Sequence, residues 1–276
     1  MAWLNSIFVA GAATAAAGLL WSFWPAEEPD RDLTFTFKPT YSRSGQPRIL
    51  VDDAHLNWHK SGRRLLPFAR LAGRDGARVQ GVDYEIDTGM LRQTHMLVVA
   101  NPLGYGGYFD RLLGTRFGGP AFEPHEVEAI RAWVERGGSL LLAVNPGPAS
   151  AAVAPLAEAF GIRFTNEPLA STVSFNRADG SMAAHPVTEG LERVTAFRAQ
   201  RVEGLPDSTA LFGAGIAMQY GKGRIVALGD ATMLTSQEIA TPSGPVTAGL
   251  HWRGSQNQEL ALNIVHWMIP PRPERE

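Results

Sequence analysis

Short, continuous apolar runs that end abruptly in polar residues constrain the fold of this chain more than any other feature. Residues 49–51, 96–100 and 140–144 contain no polar side chain, and each run is followed at once by Asp or Asn. A strand covered on both faces of a parallel sheet requires such a run, whereas a strand with one solvated face alternates apolar and polar residues. The pattern therefore predicts a buried parallel sheet with polar side chains along one edge.

Helix signals lie between these runs and produce the alternating order of an α/β protein. Apolar residues recur at helical spacing within residues 63–72, a Pro beside acidic residues opens a second helix at 123–126, and small residues open a third at 149–154. The other predicted elements are strands at residues 78–82 and 162–165 and a closing helix at residues 256–268. This order predicts a doubly wound, mostly parallel sheet with helices on both faces.

Some stretches depart from this alternation. Residues 171–208 contain short polar runs and turn signals, so we expect antiparallel strands or an excursion over the sheet there. Residues 216–220 and 224–228 are strand-like and are separated by Gly-Lys-Gly, which predicts a tight hairpin. The Gly-, Pro- and Thr-rich stretch between residue 232 and the closing helix is predicted to be a loop.

Polar side chains follow the predicted strand ends, and ligands of open α/β sheets bind at that edge. The first run ends in two carboxylates, a histidine and an amide, and later strands end in Asn or in Asp and Thr. The candidate ligand-binding residues are Asp52, Asp53, His55, Asn57, Asn101, Asn145, Asp230 and Thr232. The competing interpretation is that each of them caps the segment that follows its own strand.

The first 25 residues predict a membrane anchor. Residues 7–24 are uncharged and have the length that a transmembrane helix requires, and the aromatic residues at their end suit a membrane interface. The alternative, a cleaved signal peptide, lacks a basic start and would place Trp24 at a position that requires a small residue. Because an acidic flank follows, we expect a single-pass inner-membrane protein whose body faces the periplasm.

These signals divide the chain into an anchor at residues 1–25, a tether at 26–47, an α/β domain at 48–270 and a tail at 271–276. Within the tether, only residues 33–37 alternate like a strand.

Composition excludes several classes of function. The formal net charge is −2, and no Lys/Arg-rich run reverses it locally, so nucleic acid is not an expected partner. The chain contains no cysteine. Disulfides, thiolate metal sites and every mechanism with a cysteine nucleophile are therefore excluded.

Six segments, taken in order, resemble a bacterial domain family of the class I glutamine amidotransferase-like superfamily. They are VDDAHLN (51–57), LVVANP (97–102), WVERGGSLLL (133–142), HPVTEGL (185–191), GKGRIVALGDATMLT (221–235) and residues 257–267. The resemblance covers nearly all of the domain at residues 48–270, and it implies a flavodoxin-like sheet.

The chain departs from true amidotransferases of this class at the nucleophile. Those enzymes carry a reactive Cys in a tight turn after a central strand. The corresponding turn lies near residues 145–150, where Ser150 stands at a predicted helix start and is more often a cap. Glutaminase activity is therefore not expected, and no catalytic residue is assigned.

Metal chemistry is a further alternative. Oxygen and imidazole ligands of the kind that Zn, Mn or Fe accept are present at Asp52, Asp53, His55 and Asp230. The sequence has no HExxH-type spacing, however, and nothing in it forces these residues to converge. We therefore predict no metal and no cofactor.

The resulting expectation is a membrane-anchored domain that binds a ligand at the carboxyl edge of its sheet. By analogy with related domains, the ligand is a saccharide, an envelope polymer or another small molecule. The other expected partners are membrane lipid, through the N-terminal helix, and membrane proteins. Two alternatives remain: a hydrolase in which Asp53 or Asp230 acts as a base with His55, and a scaffold subunit of an envelope membrane complex.

Overall fold

The computed structural model describes residues 33–42, 45–104, 119–241 and 244–271. Its strands are β1 Arg48–Asp52, β2 Arg78–Val82, β3 Met96–Ala100, β4 Ser139–Ala143, β5 Arg163–Pro168, β6 Thr172–Asn176, β7 Arg193–Phe197, β8 Gln200–Glu203, β9 Thr209–Phe212, β10 Gly215–Tyr220, β11 Gly223–Leu228, β12 Ser236–Thr241 and β13 Gly244–Gly249. Its helices are α1 Leu66–Arg74, α2 Thr88–Leu91, α3 Pro124–Glu135, α4 Pro148–Glu158 and α5 Asn257–Met268.

Seven of the described strands form one central sheet in the order β2-β1-β3-β4-β11-β10-β9. The first five strands in this order run parallel, and β10 and β9 are antiparallel to their neighbours. The carboxyl ends of β1, β2, β3, β4 and β11 therefore lie along one edge of the sheet. The predicted α/β fold with a mostly parallel sheet is confirmed.

Two apolar clusters cover the two faces of this sheet. Alternate residues of each strand point to opposite faces, so Ile49 and Val51 join one cluster while Leu50 joins the other. Helices α1 and α5 pack on the first face, and α2, α3 and α4 pack on the second. Burial on both faces explains why the strand segments contain continuous apolar runs instead of alternating patterns.

The described residues before β1 pack on the domain. Leu33, Phe35 and Tyr41 are buried in the same cluster as α1 and α5, and the Tyr41 hydroxyl donates a hydrogen bond of 2.6 Å to the Ile269 carbonyl. Residues 33–37 form no strand. The part of the predicted tether that the structure describes is thus attached to the domain surface.

The predicted anchor at residues 1–25 lies outside the described residues. Across residues 33–42, 45–104, 119–241 and 244–271, no helix is long and apolar enough to cross a membrane.

The excursion predicted at residues 171–208 is confirmed, and it is larger than expected. It begins with β5, which leaves the central sheet and pairs antiparallel with β8, while β6 pairs with β7. The prediction of a loop after residue 232 is wrong, because β12 and β13 form an antiparallel hairpin there. Pro245 within β13 faces Ala240 of β12, and a proline inside a strand reads as a loop signal in sequence.

Gly223 at the start of β11 is a position where the backbone itself requires glycine. A Cβ added there would lie 2.2 Å from the carbonyl oxygens of both Gly138 and Val134. We expect Gly223→Ala to lower the free energy of unfolding by about 2 kcal/mol or more, because neither carbonyl belongs to a flexible side chain. The matched control is Gly73→Ala in α1, where a Cβ meets nothing within 4 Å and the helix gains about 0.5 kcal/mol. Urea denaturation measures both values, and a Gly223→Ala protein as stable as the parent would contradict the steric argument.

Candidate functional site

Polar side chains at the ends of β1, β3, β4 and β11 lie at the carboxyl edge, as predicted, and they are hydrogen-bonded mainly to one another. Most of them are buried: Asp52, Asn57, Asn101, Asp230 and Thr232 are each less than 9% exposed. They form two hydrogen-bonded groups, one at β1 and β3 and one at β3, β4 and β11.

The first group fills the gap between β1 and β3. Asn57 Nδ2 donates to Asp52 Oδ2 at 3.0 Å and to the Ala100 carbonyl at 3.3 Å, so one amide joins the ends of two neighbouring strands. In open sheets of this kind, the gap where the strand order reverses is the usual ligand crevice. The side chain of Asn57 occupies part of that crevice here.

His55 lies between two carboxylates in the same group. Its Nδ1 is 2.8 Å from Asp52 Oδ1, and its Nε2 is 3.2 Å from Glu126 Oε1. Burial lowers the pKa of His55, but hydrogen bonds and charge attraction from Asp52 and Glu126 outweigh it and raise the pKa to about 9. The imidazole is therefore protonated at neutral pH, and both ring nitrogens are occupied.

Glu126 belongs to this group although it follows no strand. It lies in the first turn of α3, where it also accepts hydrogen bonds from the Ile86 and Glu123 backbone N–H groups. Burial raises the pKa of Glu126, and the hydrogen bonds from His55 and the backbone more than reverse this, so the pKa is lowered. Sequence analysis counted this residue only as part of a helix start, and its acidic position in the first turn was the available signal.

The second group joins β3, β4 and β11 through two asparagines. Asn101 Nδ2 donates to Asn145 Oδ1 at 2.8 Å, and the Asn145 backbone N–H donates to Asn101 Oδ1 at 2.7 Å. Asn145 Nδ2 then donates to Asp230 Oδ1 at 2.8 Å. At the other end, Asn101 Nδ2 lies 2.9 Å from His59 Nδ1, where burial and the nearby Arg64 charge lower the pKa of His59 to about 3, so this imidazole is neutral.

Asp230 is fully buried, and its described hydrogen-bond partners include no cation. Its carboxylate accepts from the backbone N–H groups of Phe197 and Thr232, each at 2.7 Å, and from Asn145. Burial raises the pKa of Asp230, and these hydrogen bonds offset only part of that effect. Thr232 contributes through its backbone, so Asp230 both caps its own 3-10 turn at Ala231–Leu234 and fixes the Phe197 backbone.

Asp53 belongs to neither group. Its carboxylate accepts from the Ser61 backbone N–H at 2.8 Å and from the Ser61 hydroxyl at 2.6 Å. These hydrogen bonds span eight residues and hold the loop that follows β1. The two groups are linked through the backbone, because the Trp58 N–H donates to the Asn101 carbonyl at 2.9 Å.

Ser150, the residue considered above as a possible nucleophile, is buried in the first turn of α4. Its hydroxyl is 3.0 Å from Gln200 Oε1 and 2.8 Å from Gln200 Nε2, and it lies 3.3 Å from the Asn145 carbonyl. No histidine is among the described hydrogen-bond partners of this hydroxyl. Gln200 also bonds the Val144 carbonyl, and sequence analysis did not identify it because it lies in the excursion.

Backbone strain concentrates at the same edge. The described non-glycine residues with positive φ are Leu56, Asn101, Asn166 and Arg198, at 54°, 45°, 58° and 52°. Leu56 and Asn101 lie in the two groups' loops, Asn166 Oδ1 accepts from the Gly147 N–H next to Asn145, and the Arg198 carbonyl lies 3.5 Å from Asn145 Nδ2. Asn adopts this conformation readily, whereas at Leu56 and Arg198 it costs about 1 kcal/mol or more. Such strained residues cluster at functional sites.

Within the described residues, no group of three or more His, Asp or Glu side chains is arranged to hold a metal ion. Each carboxylate of the edge is directed instead at N–H or O–H donors.

Comparison with known proteins finds a match to one sequence family and similarity in fold. A family model described as "Domain of unknown function (DUF4350)" matches residues 116–248, just under half of the chain. The matched part contains Asn145 and Asp230, and it excludes Asp52 and His55. Comparison with curated proteins found no match.

Solved structures with a similar fold include two that span most of this chain. The mmIFT52 N-terminal domain is similar with a TM-score of 0.60 and 13% identity, over 83% of this chain and 99% of that chain. Cytoplasmic protein STM1381 from Salmonella typhimurium LT2 is similar with a TM-score of 0.50 and 13% identity, over 81% and 97% of the two chains. At this identity the likeness shows the fold alone.

The charged state of His55 makes a pH prediction. Its pKa is raised from 6.5 to about 9, so its contribution to stability is complete below pH 6.5 and is lost as the pH rises through 9. We expect the stability difference between the parent and His55→Gln to shrink by about 3 kcal/mol between pH 6 and pH 10. The control is His125→Gln, because His125 is 66% exposed on the same helix as Glu126. Urea denaturation at both pH values measures the difference, and a constant difference would show that His55 is not charged in the fold.

Proposed function

We propose that this protein is a membrane-anchored binding module of flavodoxin-like, amidotransferase-like fold, which binds a ligand at the carboxyl edge of its sheet and performs no glutaminase chemistry. The observation that carries the proposal is the mutual pairing of the strand-end side chains. His55 has a carboxylate on each ring nitrogen, and Asp230 accepts from three donors. A general base needs a free lone pair directed at its substrate. These side chains hold the edge loops in place, and the loops themselves contact the ligand.

The superfamily part of the proposal rests on strand order. The parallel strands follow the order second, first, third, fourth and then β11, which is the flavodoxin-like order with an excursion inserted before the fifth strand. This order agrees with the six sequence segments that resemble the amidotransferase-like superfamily.

The hydrolase alternative has less support. It requires Asp53 or Asp230 to act together with His55, yet Asp53 is bound to Ser61, and Asp230 is bound to Asn145 and to backbone N–H groups. No described hydrogen bond joins His55 to either carboxylate.

The absence of glutaminase chemistry is testable at Ser150. We expect no ammonia release from glutamine above background, because the described partners of the Ser150 hydroxyl provide no base. Ser150→Ala should lower the free energy of unfolding by about 1 kcal/mol through loss of the Gln200 hydrogen bond, with no change in the ammonia assay. Glutamine hydrolysis that disappears in Ser150→Ala would contradict the proposal.

The anchor is testable by fractionation of the full-length chain. Burial of residues 7–24 in a bilayer should retain the protein in membranes through carbonate and high-salt washes. The control variant carries Ala13→Arg and Ala16→Arg, each of which costs about 3 kcal/mol at a helix centre, and we expect it to appear in the soluble fraction. A parent chain recovered in soluble form, with its N-terminus after Ala17 or Ala26, would show that the segment is cleaved.

Ligand binding is testable with defined saccharides. The probes are maltotriose, chitotriose and trigalacturonic acid, added to the full-length protein while amide hydrogen exchange is followed by mass spectrometry. We expect at least one probe to slow exchange in the edge loops at residues 53–60, 145–147 and 197–200, because bound ligands protect the loops that they order. Protection confined to the opposite edge, near the start of β1, would place the ligand elsewhere.

A further inference from the structure

The turn between β7 and β8 presents an arginine at the carboxyl edge. Arg198 is exposed and has a φ of 52°, and its guanidinium lies over the Phe197 ring, 5.2 Å from the centroid. The Trp252 ring lies next to Phe197, with the two centroids 6.4 Å apart. We call Phe197, Arg198 and Trp252 the arginine stack.

The strand ends hold this turn in place. Asp230 accepts from the Phe197 N–H at 2.7 Å, Asn145 Nδ2 lies 3.5 Å from the Arg198 carbonyl, and the Arg198 N–H donates to the Ser171 carbonyl at 2.9 Å. A long, unbranched side chain gains nothing from positive φ, whereas Gly or Asn adopts it readily. The buried network therefore enforces a conformation that Arg198 by itself disfavours.

Among the residues that the structure describes, none forms an ion pair with the Arg198 guanidinium, which stacks on the Phe197 ring. The Asp230 carboxylate, which accepts from the Phe197 N–H, is fully buried and has its other hydrogen bonds with backbone and amide donors. A guanidinium that is already stacked on a ring loses little freedom when its N–H fork binds two oxygens.

We propose that the arginine stack is an oxyanion-binding subsite, which takes a carboxylate or phosphate group of the ligand. This inference rests on the proposed binding function and names the chemistry that the edge recognises. Arg has five donors and no acceptor in a planar fork, which matches paired oxygens and matches isolated hydroxyl groups less well. The Phe197 ring covers one face of the guanidinium and restricts water there, and this strengthens charge-assisted hydrogen bonds.

The test uses the full-length protein with trigalacturonic acid as carboxylate probe, inorganic phosphate as phosphate probe, and maltotriose as neutral probe. Arg198→Asn is the informative variant, because Asn tolerates the positive φ and keeps the turn while it removes the guanidinium. The matched control is Arg136→Gln, an exposed arginine that ends α3 at the opposite edge of the sheet. Affinity is measured by titration calorimetry, and the melting temperature of each variant is recorded.

We expect the parent and Arg136→Gln to bind at least one anionic probe with equal affinity, and Arg198→Asn to bind it at least about tenfold more weakly. The melting temperature of Arg198→Asn should rise by about 2 °C, because the strain is relieved. A preference between the two anions then identifies the oxyanion as carboxylate or phosphate.

Other outcomes overturn the inference, and they separate it from the proposed function. Binding of maltotriose alone, or anion binding that Arg198→Asn leaves unchanged, would reject the subsite while a binding module remains. Absence of binding by all three probes, with no protection of the edge loops, would reject both proposals. A lower melting temperature in Arg198→Asn would show that the arginine serves the fold instead of a ligand.

Discussion

Amide side chains that bridge neighbouring strand ends are the interaction on which this carboxyl edge depends. Asn57 joins β1 to β3, Asn101 joins β3 to β4, and Asn145 joins β4 to β11. Each asparagine offers both a donor and an acceptor, so one side chain satisfies groups on two strands at a position where the backbone ladder has stopped. A buried polar group without a partner would cost several times the net value of one such bond. Loss of any one of these side chains would therefore leave buried partners unpaired and destabilise the whole network.

The network divides the edge into two halves with different character. At β1 and β3, Asn57 occupies part of the crevice, and the positive charge of His55 lies between the carboxylates of Asp52 and Glu126. At β4 and β11, the buried Asp230 accepts a hydrogen bond from the backbone of the β7–β8 turn, and the Arg198 guanidinium of that turn lies at the surface. The acidic and histidine side chains that suggest a reactive site in the sequence therefore hold the strand ends together in the first half. In the second half they support a surface turn.

Sequence patterns predicted the sheet, the edge and most residues on it, because strand burial and strand polarity are local properties of the chain. They did not predict the pairings. Glu126 reaches His55 from a helix 71 positions later, and Gln200 reaches Ser150 from the excursion, so each contact depends on packing that no window of sequence contains. The β12–β13 hairpin was not predicted because Pro245 lies within β13 and proline normally ends a strand signal. For Asp230, the local capping interpretation gave one of its contacts, the Thr232 N–H, but not the bond to Phe197.

The excursion between β4 and β11 has a consequence for how the chain folds. β11 pairs in parallel with β4 in the middle of the sheet, but about 80 residues separate Ala143 from Gly223. During synthesis, β1 to β4 emerge first, and the free backbone edge of β4 stays exposed until β11 arrives. The entropy cost of closing so long a loop comes before β11 gains any contact with β4, and this makes the docking of β11 slow. The β4 edge is therefore the place where a nascent chain of this protein is most open to pairing with the wrong strand.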